Sequence, residues 1–203
     1  MIDEPLPKLT GPDLLASIID KFMANSKCAT ENEQKIYLLS LFGNKRLVTT
    51  LLFRGSEHGW KLKNFHSRCD YKGPTICLFK IKDGDCIGGY TKAQWSSPYT
   101  DNHVSESEAM LFNLSCCRHF PSKNTGKDIY CSYKVGPCFD GGSSELSAWD
   151  EPINGDGKCS SWANKPGYRI PIDNEGTNLL TNKMNGVFTI SEMEVWEITG
   201  FME

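Results

Sequence analysis

Hydrophobic and polar positions change period along this chain, and each change marks a different kind of element. Leu14, Leu15, Ile18, Ile19 and Phe22 recur at helical spacing and form one apolar stripe. Thr10-Gly-Pro-Asp13 supplies its start: a capping hydroxyl, an early proline and an acid near the positive end of the helix dipole. Asn25 and Ser26 end it. A second helix is expected after Thr30-Glu-Asn-Glu33, which has capping-box form, with Ile36, Leu39 and Leu41 as its apolar positions and Gly43 as its stop.

From Arg46 onward the period shortens to that of strands. Leu47 to Phe53, rich in Leu, Val and Thr, predicts a strand. A turn over Ser56 to Trp60 follows, then a short helix over Lys61 to Cys69 with Leu62, Phe65 and Cys69 on one side. Gly73-Pro74 breaks the chain. Thr75 to Ile81 is apolar on both faces and predicts a central strand lying between two layers. Asp83-Gly84 turns it into a return strand, Cys86 to Thr91, in which Gly88 and Gly89 require a close neighbour or a bulge. Trp95 to Ser107 is expected as a polar loop, Glu108 to Leu114 as a buried strand and Pro121 to Lys127 as a loop. Ile129 to Tyr133, Val135 to Phe139 and Glu145 to Trp149 predict short strands, with a turn at Gly141-Gly142. Glu151 to Gly167 is rich in turn formers and is expected as a long surface loop. Val187 to Ile198 closes the chain as two strands separated at Ser191-Glu192. Many short strands with regular turn signals imply an α+β, mainly β fold: two packed antiparallel sheets with N-terminal helices over one edge or face.

Composition narrows what such a fold does. The chain has 203 residues, enough for one sizeable core, and 39% hydrophobic with 23% charged residues is a globular balance. A net charge of −3 argues against general nucleic-acid binding, which needs a dense positive face. No run approaches the roughly 20 apolar residues that span a bilayer, and the acidic, proline-broken start does not read as a secretory signal, so membrane insertion is not expected. Nine cysteines at irregular spacing then predict reduced, mostly buried thiols in the cytoplasm.

No motif completes a catalytic or metal site. His66 and Cys69 lie three apart on one expected helix and supply half a metal site or a thiolate pair, but no second half follows, and a structural zinc site needs four ligands. The simpler reading is a hydrogen-bonded histidine and a core cysteine. Cys116 and Cys117 are adjacent, so on a strand they point to opposite faces, with one free to be oxidised. The glycines at 84, 88 and 89 lack the Lys-Ser/Thr and helix of a phosphate loop. Glu57, Asp70, Asp101, Glu108 and Glu194 are the carboxylates to watch as an acid pair. Asp70 is more simply a turn former, and Glu108 is expected to hold Arg54 or a loop amide. Trp149 and Trp162 flank the expected long loop and are candidate partner anchors, although burial is the commoner fate of a tryptophan. No catalytic, metal or cofactor residue is therefore assigned.

The ordered set Phe53-Arg54-Gly55-Ser56, Gly59-Trp60, Phe65-His66, Cys69-Asp70, Lys72-Gly73-Pro74-Thr75, Gly88-Gly89-Tyr90-Thr91, Trp95, Ala109 to Leu114, Ile129-Tyr-Cys131, Gly136-Pro137, Phe139 and Glu194-Val-Trp196 resembles the TLDc domain of oxidation-resistance type proteins. The resemblance runs over about residues 30 to 198. It implies a domain at 30–203 behind a lead-in and helix at 1–29, and a two-sheet sandwich with flanking helices. It further implies a non-enzymatic interaction role linked to oxidative-stress protection, with peripheral subunits of the vacuolar-type proton-pumping ATPase as the expected partner. The chain departs from the family pattern at Glu57-His58, at Cys116-Cys117 and in its own N-terminal helix. A scaffold subunit of a ciliary or microtubule assembly, and a peroxide-scavenging enzyme using Cys69, Cys116 or Cys117, are the alternative expectations.

Overall fold

A computed structural model describes residues 12–43, 46–82, 84–140, 145–149, 159–184 and 186–201. The expected turns at Asp83 and Gly141-Gly142 and the start signal at Thr10-Gly11 lie outside them. Two helices come first, α1 (Pro12–Lys21) and α2 (Asn32–Ser40). Strand β1 (Leu47–Arg54) leads into two short helices, α3 (Gly55–His58) and α4 (Leu62–Cys69). Then come β2 (Thr75–Ile81), β3 (Cys86–Thr91), β4 (Asn102–Val104), β5 (Met110–Asn113), β6 (Arg118–Pro121), β7 (Ile129–Cys131), β8 (Cys138–Phe139) and β9 (Leu146–Ala148). The chain continues through β10 (Cys159–Ser161), β11 (Thr177–Asn178), β12 (Lys183–Met184), β13 (Gly186–Phe188) and the long β14 (Ile190–Phe201).

The strands form two six-stranded sheets, ordered β1-β14-β2-β3-β5-β6 and β13-β10-β9-β8-β7-β4, with β11 and β12 as a small third pair. Every strand pair is antiparallel. This is the expected two-sheet sandwich, and the first sheet is covered on both faces. Side chains alternate along a strand, so Cys77, Phe79 and Ile81 of β2 enter the core between the sheets, where they join Phe139 and Leu146 from the second sheet. Ile76 and Leu78 point the other way, into a second core with Phe22, Met23, Leu38 and Leu39 from the helical segment. The apolar run over Thr75 to Ile81 is therefore a strand buried on both sides. Strand β14 divides likewise: Met193 and Val195 face inward, Trp196 and Ile198 face the helices.

Gly88 and Gly89 sit where these layers press hardest on β3. A Cβ on Gly89 would lie 2.5 Å from the Phe139 ring, and one on Gly88 2.2 Å from the Cys77 carbonyl oxygen. Close packing explains the pair; no phosphate loop forms there.

Several local expectations are corrected. The capping box of α2 is shifted by one residue: Glu31 is the N-cap and exchanges hydrogen bonds with Gln34, in place of Thr30 with Glu33. With that start, the buried face of α2 is Gln34, Lys35, Leu38 and Leu39, and Ile36 is exposed. Ser56 begins within helix α3 and is not in a loop. The expected loops at 95–107 and 151–167 contain β4 and β10, each of three residues, too short to show a period. β6 crosses into the expected loop at Pro121. Val135 to Phe139 is a strand only at Cys138–Phe139. Ser191-Glu192 does not separate two strands; the break is at Thr189, and the register shift between Ile190 and Glu192 is an irregularity inside β14.

Candidate functional site: a polar latch and an exposed aromatic face

Register builds the latch. Arg54, the last residue of β1, lies opposite Glu194 of β14, and directly opposed residues of an antiparallel pair share a face. Arg54 Nε is 2.7 Å from Glu194 Oε1. Glu194 is fully buried and accepts from every side: Lys27 N at 2.8 Å, Ser26 Oγ at 2.5 Å and Trp196 Nε1 at 3.0 Å complete its shell. Trp196 reaches it because residues two apart on a strand face the same way. The remaining Arg54 donors go to Glu57 Oε1 at 2.8 Å and the Asn25 carbonyl at 2.8 Å. A fully hydrogen-bonded buried ion pair is the form in which buried charge is tolerated.

Electrostatics follow the geometry. Burial by itself would lower the Arg54 pKa, but hydrogen bonds to Glu57 and Glu194 outweigh it and the net shift is upward. Hydrogen bonds from Arg54 and then Lys27 hold the Glu57 carboxyl below its usual range. Ser56 and His58 do not form a nucleophile–base pair. Ser56 Oγ donates to Glu192 Oε2 at 2.5 Å, while His58 Nδ1 accepts the Arg54 backbone N–H at 2.9 Å. That bond requires the neutral imidazole, and burial lowers the His58 pKa.

A second cluster holds the other end of the fold. His66 Nδ1 lies 2.9 Å from Asp70 Oδ1, and Ser97 Oγ donates to Asp70 Oδ2 at 2.5 Å. Trp95 Nε1 donates to Thr75 Oγ1 at 2.8 Å, and Tyr71 N to the Trp95 carbonyl at 2.8 Å. Gly73, before a cis Pro74, packs with its Cα side against the Lys92 and Ala93 carbonyls; a Cβ there would be 3.2 and 3.1 Å away. Phe65 and Cys69 enter the core beside Phe53 and Trp95. His66 Nε2 is buried with no hydrogen-bond partner. His66 and Cys69 do not build a metal centre: among the described residues no group of three or more His, Cys, Asp or Glu side chains converges.

The other signature residues also do structural work. A Cβ on Gly55 would meet the Trp60 ring at 2.4 Å, and Gly59 has φ +84°. Tyr90 is buried against Phe42, ring centroids 4.8 Å apart. Gly136 N donates to the Ala148 carbonyl at 2.8 Å, and Ala148 N to the Pro137 carbonyl at 3.1 Å.

Of the watched carboxylates, Glu57 and Glu194 meet at Arg54, Asp70 serves His66 and Ser97, and Asp101 bonds with Tyr130. Glu108 does not hold Arg54; it pairs with Lys92, because β5 lies four places from β1 in the sheet. Seven cysteines are buried. Burial pushes the thiol pKa of Cys28, Cys69, Cys77, Cys86 and Cys159 well upward, the opposite of activation. Cys116 and Cys117 are not on a strand but in the β5–β6 turn, where Cys117 is exposed at φ +52°.

Trp149 and Trp162 are each 38% exposed. They follow β9 and β10, which run antiparallel, so they stand at opposite ends of that strand pair and do not form one anchor. Sequence reasoning missed a more exposed aromatic group: Tyr71 at 76%, Tyr99 at 90% and Tyr133 at 43%. An aromatic side chain inside a polar, turn-rich run such as Ser96-Ser-Pro-Tyr99-Thr-Asp101 was the available signal.

Two antiparallel sheets, helices over the outer face of the first, and most signature residues turned inward define a β-sandwich module whose internal polar groups hydrogen-bond one another. The chain belongs to the TLDc domain family, whose model matches residues 22–199. The match begins at Phe22, where the helical segment enters the second core through Phe22, Met23, Cys28 and Ala29. Comparison with curated proteins gives no match.

Proposed function

We propose that this chain acts as a non-enzymatic protein-interaction domain, and that its partner is the peripheral part of the vacuolar-type proton-pumping ATPase. The observation that carries the first half is the fate of the signature residues. Arg54, Ser56, His66, Cys69, Asp70, Thr75, Trp95 and Glu194 are spent on hydrogen bonds and core packing inside the domain, while exposed aromatic side chains remain on loops held by a rigid frame. That is the arrangement of a recognition surface. Membership of the TLDc family supports the choice of partner and the link to oxidative stress. None of the described helices is long and apolar enough to cross a membrane, and binding to an organelle surface from the cytoplasm through a protein partner suits such a chain.

Affinity capture of the tagged domain from its own cells, with the captured proteins identified by mass spectrometry, tests this reading. Recovery of peripheral pump subunits is expected. Recovery of a tubulin-based assembly without pump subunits would replace the partner. Peroxide consumption lost in a Cys117→Ser variant would replace the interaction module by thiol chemistry, which Cys117 favours by its exposure.

A further inference from the structure

Tyr99 and Tyr133 form an exposed ring pair, and the Tyr71 backbone is tied to the same loop. Asp70 bridges to Trp95, and the Tyr71 amide is bonded to the Trp95 carbonyl. The same loop continues through Ser97, held by Asp70, and Pro98, whose carbonyl accepts Tyr133 N at 3.3 Å. The rings of Tyr99 and Tyr133 then meet with centroids 5.3 Å apart. Lys134 Nζ lies over the Tyr133 ring, 5.4 Å from its centroid. Tyr71 has φ +62°, a conformation that a bulky side chain seldom takes and that is found where function constrains the backbone. The side chain of this strained tyrosine is offered to solvent.

The exposed charges around this face lean positive. Lys72, next to Tyr71, and Lys134, over the Tyr133 ring, are exposed and have no carboxylate partner among the described residues. Of the nearby acids, Asp70 is mostly buried against His66 and Ser97, and Asp101 alone is exposed. Two exposed lysines against one exposed aspartate give this face a positive lean on a chain of net charge −3. Exposed tyrosines give rigid, amphipathic contact area, and unpaired cations around them select a partner of opposite charge.

We infer that Tyr71, Tyr99 and Tyr133, flanked by Lys72 and Lys134, form a docking face for an acidic segment of a partner protein. Apolar or proline side chains of that segment lie on the tyrosine rings, and its carboxylates meet the cations. This rests on the reading of the domain as an interaction module and names the surface it uses.

The test uses the whole chain and two synthetic probes, a fluorescent Glu-Pro-Leu repeat peptide and its Lys-Pro-Leu counterpart. The acidic probe is expected to bind more tightly, and to weaken with added salt. Tyr99→Ser with Tyr133→Ser should weaken it about tenfold, the loss of one good anchor. Lys72→Glu with Lys134→Glu should do the same, with thermal unfolding unchanged in both variants because the side chains are exposed. Equal binding of the two probes, or variants that bind like the parent, would overturn the inference. So would self-association of the free chain that the tyrosine variant abolishes, which would assign the face to a second copy. Pump capture separates the two proposals. Variants that still capture pump subunits sink this face and leave the interaction module standing. Acidic-probe binding at the tyrosines by a chain that captures no pump subunits has the reverse meaning.

Discussion

Replacing Glu194 by Gln is the sharpest perturbation of the latch, because it keeps the shape and removes the charge. Each carboxylate oxygen of Glu194 accepts from two groups: Oε1 from Arg54 Nε and Lys27 N, Oε2 from Ser26 Oγ and Trp196 Nε1. A glutamine places its NH₂ against one of those pairs whichever way it turns. Two donors are then left facing a donor, and a buried unsatisfied group costs about 1–3 kcal/mol. Arg54 also loses its buried counter-charge and keeps only Glu57, which is half exposed. Breaking one side of a buried pair typically costs about 3–5 kcal/mol, in line with two orphaned donors. For a domain of this size that is a fall in Tm of roughly 6–20 °C, at about 2–4 °C per kcal/mol. Urea denaturation of both proteins, followed by tryptophan fluorescence, measures it. A loss below about 1 kcal/mol with an unchanged m-value would refute the reasoning, since exposed pairs lie in that range.

Three further outcomes are expected. Stability should fall as pH drops through the mildly acidic range, because His58 is held neutral in the fold by burial and by the Arg54 N–H, and its pKa lies below the unfolded value of about 6.5. The unfolded chain takes up the proton first, so the contribution is complete above that value and is lost as pH falls through the folded pKa; His58→Asn, which keeps an acceptor near Nδ1, should flatten this part of a pH series of urea melts. Gly88→Ala should destabilise more than Gly89→Ala, since its Cβ meets the Cys77 backbone carbonyl whereas that of Gly89 meets the Phe139 ring; overpacking costs about 1–3 kcal/mol, and Gly200→Ala, with open space, is the neutral control in the same thermal melts. Titration of the native protein with an aromatic disulfide should label Cys117 fastest and the seven buried cysteines only on unfolding; rapid labelling of Cys69 in the folded protein would contradict its burial.

The elements that could be read from the sequence are those with enough residues to show a period. β2, apolar on both faces, and the return strand β3 were legible to the residue, and α4 was legible within one residue from Leu62, Phe65 and Cys69, Lys61 being its N-cap. β4 and β10 were hidden because three residues show no alternation, and their pairing depends on partners far away in the chain. α2 misled because its capping pair and buried face, with Gln34 and Lys35 turned inward, are set by tertiary contacts and not by apolar spacing. The latch followed the same rule. Arg54 and Glu194 were both visible as signature residues, but their pairing comes from the β1–β14 register, across 140 residues, and nothing local announces it. Tyr71 and Tyr99 were invisible as a pair for that reason too, since the Trp95 loop that joins them is held by Asp70 and Thr75.

The central claim is that this domain works by binding, through a surface, with most of its signature residues held inside. Equilibrium binding of the purified chain to the isolated peripheral sector of the proton-pumping ATPase tests it most directly, run beside the Tyr99→Ser/Tyr133→Ser variant and a Cys116→Ser/Cys117→Ser variant. The account expects saturable binding by the parent, retained without the two accessible thiols and weakened without the tyrosines. No binding by the parent, or binding abolished only by loss of the thiols, would contradict it.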